Sequence, residues 1–240
     1  MPRIRVMKKS LPWLVALFAS TFILAPLVTE PFTGYRPEHL PVFMDQPPIQ
    51  PAGYAFAIWG VIYSWLVASA VYGLVKRRND GAWDIVRGPL SLSLALGTLW
   101  LSIANATAIW ATVVILIMAG VTVLALLRSP TKDYLWLKVP LGLYAGWLTA
   151  ASVVSLSITL AGFGVLSYEA ASIAGLLLAM TAAILVQLMP PSGPAYGLAV
   201  SWALFGIVVQ NGTDMIVMSV LAGAGIAALG LINLTRRGST

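Results

Sequence analysis

Long apolar segments recur along the chain, and their length constrains the fold more than any other feature. A helix needs about 20 apolar residues to cross the hydrocarbon core of a bilayer. Hydrophobic residues make up 59% of the chain and charged residues only 9%, which is far below the charged share of a soluble domain. The sequence therefore predicts an all-α, polytopic membrane bundle with eight spans: residues 10–28, 53–75, 89–107, 109–127, 136–160, 168–188, 194–210 and 214–234.

The charged residues alternate between the two ends of these predicted helices. If all eight segments cross, the basic residues at the two termini and in the loops near 76–87 and 128–138 fall on one side. The opposite side has Arg36 as its only basic residue. Because basic loops mark the cytoplasmic side, both termini are predicted to be cytoplasmic. The net charge of +6 is thus interpreted as an orientation signal, and no nucleic-acid partner is predicted.

The centres of the predicted helices carry no Lys, Arg, Asp, Glu or His. Such groups usually mark proton relays, ion paths or cofactor counter-ions, so their absence argues against a retinal protein and a proton-coupled transporter. The serines have no His or Asp beside them that could act as a base. His39 has no second ligand near it in the sequence, so no metal site is predicted. An enzyme is therefore disfavoured but left open.

Aromatic residues are concentrated in two of the predicted helices. In "QPAGYAFAIWGVIYSWL", Phe56, Trp59 and Tyr63 stand at i, i+3 and i+7, which places them on one helical stripe. In "LYAGWLTAAS", Tyr144 and Trp147 stand three residues apart and are followed by small residues. Such stripes either fill the core between helices or line a ligand pocket, and the sequence leaves both interpretations open.

A stripe of small residues lies on the last predicted helix. Ser219, Gly223 and Ala227 recur at four-residue spacing, which allows two helix backbones to approach closely. The stripe is predicted to pack within the bundle, and a homodimer or a contact with a membrane-complex partner is the alternative.

The order of the aromatic motifs is similar to that of a known membrane family. In that family the second helix opens with Pro and Gly, then Trp-x-Phe, a Trp and a Tyr. The fifth helix has Pro, Tyr, a Trp three residues on and then small residues, and the third carries a Trp and an Asn. The counterparts here are Pro51, Gly53, Tyr54, Phe56, Trp59, Tyr63, Trp100, Asn105, Pro140, Tyr144, Trp147 and Ala150. The chain resembles the tryptophan-rich sensory protein family, also called translocator protein or TspO/MBR, in its longer bacterial form with extra C-terminal helices.

This resemblance implies a five-helix core over residues 1–162 and a three-helix extension over residues 163–240, within one membrane unit. It also implies an internal pocket beneath the Pro-rich first loop, residues 29–50, and a location in the bacterial inner membrane. Members of the family bind porphyrins and sterol-like or drug-like molecules, so a porphyrin or haem-type ligand is expected. The ligand-binding residues implied are Tyr54, Phe56, Trp59, Tyr63, Trp100, Asn105, Tyr144 and Trp147.

Four functions remain open on the sequence alone. A binding or sensory protein for a hydrophobic ligand is the first. A transporter of such ligands is the second, although transporters often show internal repeats and none is visible here. A structural or assembly subunit of a membrane complex is the third. An enzyme acting on a bound pigment is the last and least favoured, because it would need acid–base groups that the predicted helices lack.

Overall fold

The computed structural model describes residues 2–190 and 192–237, with side chains for residues 10–190 and 192–235. Within that part of the chain it contains eight α-helices and no strand. Their bounds are α1 Pro2–Val28, α2 Ile58–Lys76, α3 Gly81–Ala104, α4 Ala108–Leu127, α5 Lys138–Gly162, α6 Tyr168–Leu188, α7 Pro194–Asn211 and α8 Ile216–Arg237. Seven of these helices are long and apolar enough to cross a membrane. The predicted all-α membrane bundle is thereby confirmed.

The helix that falls outside the seven is α7, which ends on the polar residues Gln210 and Asn211. Its 18 residues extend over about 27 Å, slightly less than a hydrocarbon core of about 30 Å. A Cβ at Gly142 would lie 3.1 Å from the Cβ of Ala195, and one at Gly146 would lie 2.9 Å from the Cβ of Ala199. The two helices therefore run side by side in the same direction, and α7 lies at the depth of the spanning helix α5.

The centre of the bundle is α5, which is the most deeply buried of the candidate spans. It packs against α4 on one side and against α6 and α7 on the other, with fewer contacts to α2. Helix α3 lies between α1 and α4, and α8 covers α7 and α6. Trp147, Tyr144 and Tyr196 are among the largest fully buried side chains, so the core lies around α5.

Helix α3 begins at Gly81, eight residues before the predicted start. The Asp80 side chain caps the helix by accepting a hydrogen bond from the backbone N–H of Ala82 at 3.0 Å. Trp83 and Arg87, which lie before the predicted span, are buried within the helix. The Asp84 carboxylate, 2.6 Å away, balances the charge of the buried Arg87 guanidinium, which also donates to the backbone oxygens of Gly73 and Arg77. The predicted span began only at residue 89 because it was drawn from an apolar run, and the first turns of α3 carry charged residues.

Helix α2 begins later than predicted, because residues Gly53–Ala57 form a 3₁₀ helix. Side chains at i and i+3 of a 3₁₀ helix eclipse each other, so this geometry keeps Phe56 and Trp59 on one face. The rings of Phe56 and Trp59 both meet the Trp147 ring of α5 edge to face, with centroids 5.7 Å and 6.2 Å from it, and Tyr63 stacks on Trp59.

The small stripe on α8 does not make the helix contacts predicted for it. A Cβ at Gly223 would meet nothing within 4 Å, and Ala227 is exposed. A Cβ at Gly225 would lie 2.9 Å from Leu204 on α7, so the packed face is the neighbouring one. Ser219 instead donates a hydrogen bond to the backbone oxygen of Gly212 at 2.8 Å. The homodimer contact remains a prediction.

Residues 29–52, between α1 and the 3₁₀ helix, form a segment that we call the lid. It includes the short 3₁₀ helix Pro37–His39 and lies over the ends of α3, α5, α6 and α7. The loops near 77–80 and 129–137 meet at the opposite end of the bundle through Arg77 and Asp133. The basic side chains predicted to orient the termini, Arg3, Arg5, Lys8, Lys9, Arg236 and Arg237, lie outside the described side chains, so the orientation remains a prediction.

Candidate ligand-binding cavity

A cavity of about 270 Å³ lies beneath the lid, at the end of the bundle away from Asp133. Its walls come from the lid, the 3₁₀ helix, α3, α4, α5 and α7. The lining residues are Phe32, Thr33, Gly34, Tyr35, Gln50, Pro51, Gly53, Phe56, Trp100, Ile115, Trp147, Ala150, Ala151, Val154, Ser155, Ile158 and Ala203. The cavity is thus built by helices from both parts of the chain, since Ala203 belongs to α7.

The space exists because small residues follow a large one on α5. Trp147 is followed one turn later by Ala150 and Ala151, which leave room where a larger side chain would fill the gap. The Trp147 ring is 2% exposed, and its indole N–H has no hydrogen-bond partner among the described residues. A buried indole N–H usually finds an acceptor, so this buried donor is an unmet hydrogen bond beside the cavity.

Three of the eight sequence-predicted site residues line the cavity, namely Phe56, Trp100 and Trp147. The rings of Phe56 and Trp147 meet edge to face, with centroids 5.7 Å apart. The Trp100 indole is fixed by a hydrogen bond from Nε1 to the backbone oxygen of Ala111 at 2.9 Å. The lid ring Phe32 packs against Trp100 with centroids 5.1 Å apart, which joins the lid to the wall.

Another three predicted residues, Trp59, Tyr63 and Tyr144, form a packed cluster next to the cavity. Trp59 and Tyr63 stack with centroids 5.0 Å apart, and the Phe22 ring of α1 meets Tyr63 edge to face at 4.8 Å. Tyr144 is fully buried, and its hydroxyl is 3.0 Å from Ser93 Oγ. Trp59 also contacts Trp147, with centroids 6.2 Å apart. The cluster supports the lining ring Trp147 from behind.

The remaining two predicted residues lie elsewhere. Tyr54 packs outward against Trp202 of α7, with centroids 5.7 Å apart, because the 3₁₀ turn directs it away from Phe56. Asn105 lies at the end of α3, where its Nδ2 donates to the backbone oxygen of Glu30 at 3.0 Å. Asn105 thus attaches the start of the lid to α3 and is not among the lining residues.

A chain of hydroxyl groups connects the lid to the cavity wall. Tyr35 on the lid hydrogen-bonds Ser155 of α5 at 2.6 Å, and Ser155 Oγ is 2.7 Å from Thr112 Oγ1 of α4. Thr112 is in turn 2.8 Å from Thr159. Burial raises the pKa of the Tyr35 phenol above its ordinary value, against the smaller opposing effect of these hydrogen bonds. The phenol therefore stays neutral at physiological pH.

The described lining residues include no Lys, Arg, Asp, Glu or His. The cation nearest in sequence is Arg36, which pairs with Glu30 and lies 4.0 Å from Glu38 on the exposed side of the lid. The polar atoms of the lining come from Thr33, Gln50 and neutral hydroxyl groups. The cavity therefore presents an apolar, uncharged surface with a few hydrogen-bonding groups.

Comparison with known proteins agrees with this architecture. A family model described as TSPO-like protein matches residues 13–234, which include all eight helices in whole or in part. The chain belongs to the TSPO-like protein family. The match confirms the resemblance drawn from the aromatic motifs, and it continues through α6, α7 and α8. No curated protein and no solved structure matches the chain.

Several lining residues of this TSPO-like chain were not predicted. Phe32 and Tyr35 lie in the lid motif "PFTGYRP", where two aromatic residues in a Pro-rich loop were the available signal. Ser155 and Ala203 gave no signal, because small residues are frequent in every helix of the chain. Their role depends on which helices are neighbours, and this is a tertiary property.

Proposed function

We propose that this TSPO-like chain is a membrane receptor of the sensor type, which holds a flat hydrophobic molecule in the cavity beneath its lid. The observation that carries the proposal is the cavity of about 270 Å³ between the rings of Phe56, Trp100 and Trp147. Ligand sites are typically concave, mostly apolar and equipped with a few convergent polar groups. Aromatic walls favour flat ligands, which can meet the rings by stacking or by edge-to-face contact.

A tetrapyrrole is the specific ligand that we propose within this class, with its ring between the aromatic walls. The uncharged lining supports a further distinction among tetrapyrroles. Protoporphyrin carries two carboxylates, and an ionised carboxylate is costly to bury without a cation. We therefore expect its dimethyl ester to bind at least about tenfold more tightly than the free acid, because esterification removes both charges.

The test is a titration of the purified protein with each porphyrin, followed by quenching of tryptophan fluorescence. Trp100→Phe and Trp147→Phe are expected to weaken binding of the ester by about fivefold to tenfold, the value of one aromatic contact. Trp110→Phe is the matched control, since Trp110 is 63% exposed and lies outside the lining. The midpoint of a saturable curve is compared, because the quenching amplitude changes whenever a tryptophan is removed.

Quenching that does not saturate, or that has the same midpoint in all four proteins, would contradict the proposal. It would show that the porphyrin partitions into the detergent micelle and that the aromatic residues serve packing. Tighter binding of the free acid than of the ester would contradict the uncharged site and would indicate that a cation such as Arg36 contacts the ligand.

A further inference from the structure

The two halves of the lid are attached to the bundle in different ways. The first half is held by Asn105 at Glu30 and by the hydroxyl contacts of Tyr35. The second half, from residue 40 onward, lies on α5, α6 and α7. The N–H of Val42 donates to the backbone oxygen of Gly162 at 2.8 Å, and Tyr168 of α6 donates to the oxygen of Val42 at 2.8 Å.

Helix α7 makes three hydrogen bonds with residues 48–55. Asn211 Nδ2 donates to the backbone oxygen of Pro48 at 2.8 Å. The N–H of Ala52 donates to the backbone oxygen of Gly206 at 3.1 Å. Trp202 Nε1 donates to the backbone oxygen of Ala55 at 2.8 Å. The stretch that they hold includes three lining residues, Gln50, Pro51 and Gly53.

Asn211 and Gly206 are specifically suited to this contact. Asn211 is 6% exposed, and its Nδ2 also bonds the backbone oxygen of Ile207. A buried amide that loses its partner carries the full desolvation penalty, so the lid is the partner that this residue requires. At Gly206 a Cβ would lie 2.8 Å from the Cβ of Pro51 and 2.9 Å from the Cβ of Ala55. Only glycine lets the lid lie this close to α7.

The same close approach occurs on two neighbouring helices. A Cβ at Gly162 of α5 would lie 2.6 Å from Leu40 Cδ2, and one at Gly175 of α6 would collide with Ser157 of α5 and lie 2.7 Å from Ile49 Cδ1. Leu40 and Ile49 are both almost fully buried. Glycines on three adjacent helices thus form the surface against which the second half of the lid packs.

We propose that α6 and α7 anchor the lid, and that Asn211 and Gly206 are positioning residues for the cavity. The C-terminal helices keep residues 48–55 in place and so keep one wall of the cavity closed. The anchoring of the lid does not depend on a ligand. Its consequence for ligand retention rests on the proposed function.

The first measurement is hydrogen–deuterium exchange of the ligand-free protein in detergent, followed by mass spectrometry. In Asn211→Ala and Gly206→Val, we expect peptides covering residues 42–56 to exchange at least about tenfold faster, as for a loss of about 1.4 kcal/mol. Peptides from α3 and α4 are expected to keep their wild-type exchange. Two variants are used because Asn211→Ala removes a hydrogen bond whereas Gly206→Val obstructs the contact.

The matched controls are Thr213→Ala and Gly223→Ala. Thr213 is an exposed polar residue two positions after Asn211, and its side chain has no described hydrogen bond to the lid. Gly223 has open space around it. Unchanged exchange of residues 42–56 in both test variants would overturn the anchor. Equally faster exchange in α3 and α4 would also overturn it, because the residues would then serve the general stability of the bundle.

The second measurement is the dissociation rate of protoporphyrin dimethyl ester. Release is expected to be about tenfold faster in the two test variants and unchanged in the controls. Faster lid exchange with unchanged release would overturn the role of α7 in ligand retention. If the wild-type protein binds no porphyrin, the proposed function fails for this ligand, and the exchange experiment alone decides the anchor.

Discussion

At the residue scale, Asp133 shows how a single carboxylate can hold three segments together. It accepts hydrogen bonds from Arg77 Nε at 2.7 Å, from Trp83 Nε1 at 3.0 Å and from the Tyr72 hydroxyl at 3.0 Å. Its φ of +56° lies in the left-handed region, which Asp tolerates better than most residues. Hydrogen bonding from the Arg77 guanidinium is the main cause that lowers the pKa of Asp133 well below its ordinary value.

Asp133→Asn is therefore expected to lower the midpoint of thermal unfolding by a few degrees at neutral pH, because it removes the charge that pairs with the partly exposed Arg77 guanidinium. The folded-state pKa is lowered, so the stabilisation is complete above the ordinary carboxyl pKa and is lost as the pH falls below it. Thermal unfolding in detergent at pH 7 and at about pH 3 measures both effects. The difference between the two proteins should narrow in acid.

Asp45→Asn is the control for this prediction, because Asp45 is an exposed lid residue. It should unfold at the wild-type temperature at both pH values. A constant difference between Asp133→Asn and the wild type from pH 7 to pH 3 would mean that the ionised carboxylate is not what stabilises this end of the bundle.

At the scale of the elements, the contact between α5 and α7 depends on residues without side chains. A Cβ at Gly146 would collide with the backbone oxygen of Tyr196 and lie 2.9 Å from the Cβ of Ala199. At Gly142 the nearest backbone atom would be the nitrogen of Tyr196, at 3.1 Å. In a bilayer, where lipid tails are as apolar as side chains, such close packing is a main source of helix association.

Gly146→Ala is expected to destabilise the protein by about 2 kcal/mol, because one methyl group forces the two backbones apart. Gly120→Ala on α4 is the matched control, since a Cβ there meets nothing within 4 Å. That change should be neutral or slightly stabilising, as alanine favours the helix by about 0.5–1 kcal/mol. Thermal unfolding of both variants in one detergent gives the comparison, and equal midpoints would contradict the close contact.

At the scale of the whole molecule, the two ends of the bundle have different characters. One end carries the lid and the cavity, and the other is closed by the Asp133 contacts. Asn211 at the end of α7 reaches Pro48, whereas Gly193 at its start lies beside Lys138. Helix α7 therefore connects the two ends, although its composition is less apolar than that of its neighbours.

Single cysteines can test this arrangement, because the chain has no cysteine of its own. We expect a membrane-impermeant maleimide added to intact cells to label Asp45→Cys and Thr213→Cys, but not Asn79→Cys. All three positions are exposed. Labelling of Thr213→Cys only after cell lysis would show that α7 does not cross. Labelling of Asn79→Cys alone would invert the predicted orientation.

The sequence by itself determined the class of the protein, the number of helices and the family. These follow from apolar run length, from turn residues and from the order of two aromatic motifs, all of which act over short distances along the chain. For Trp147 and the small residues after it, the sequence left core packing and pocket lining open, and the structure places them in the cavity wall. The predicted helix ends were less accurate. Capping by Asp80 starts α3 before its apolar run begins.

Only the tertiary structure decided which aromatic residues line the cavity and which pack behind it. Phe56 and Tyr54 are two residues apart and point in different directions, and the helices packed around them decide that Phe56 lines the cavity whereas Tyr54 meets Trp202. Gly206 and Asn211 looked like ordinary residues of a helix end, and they became meaningful only beside Pro51 and Pro48. The physical reason is that contacts between residues more than 150 positions apart depend on how whole helices pack, and no local pattern encodes that packing.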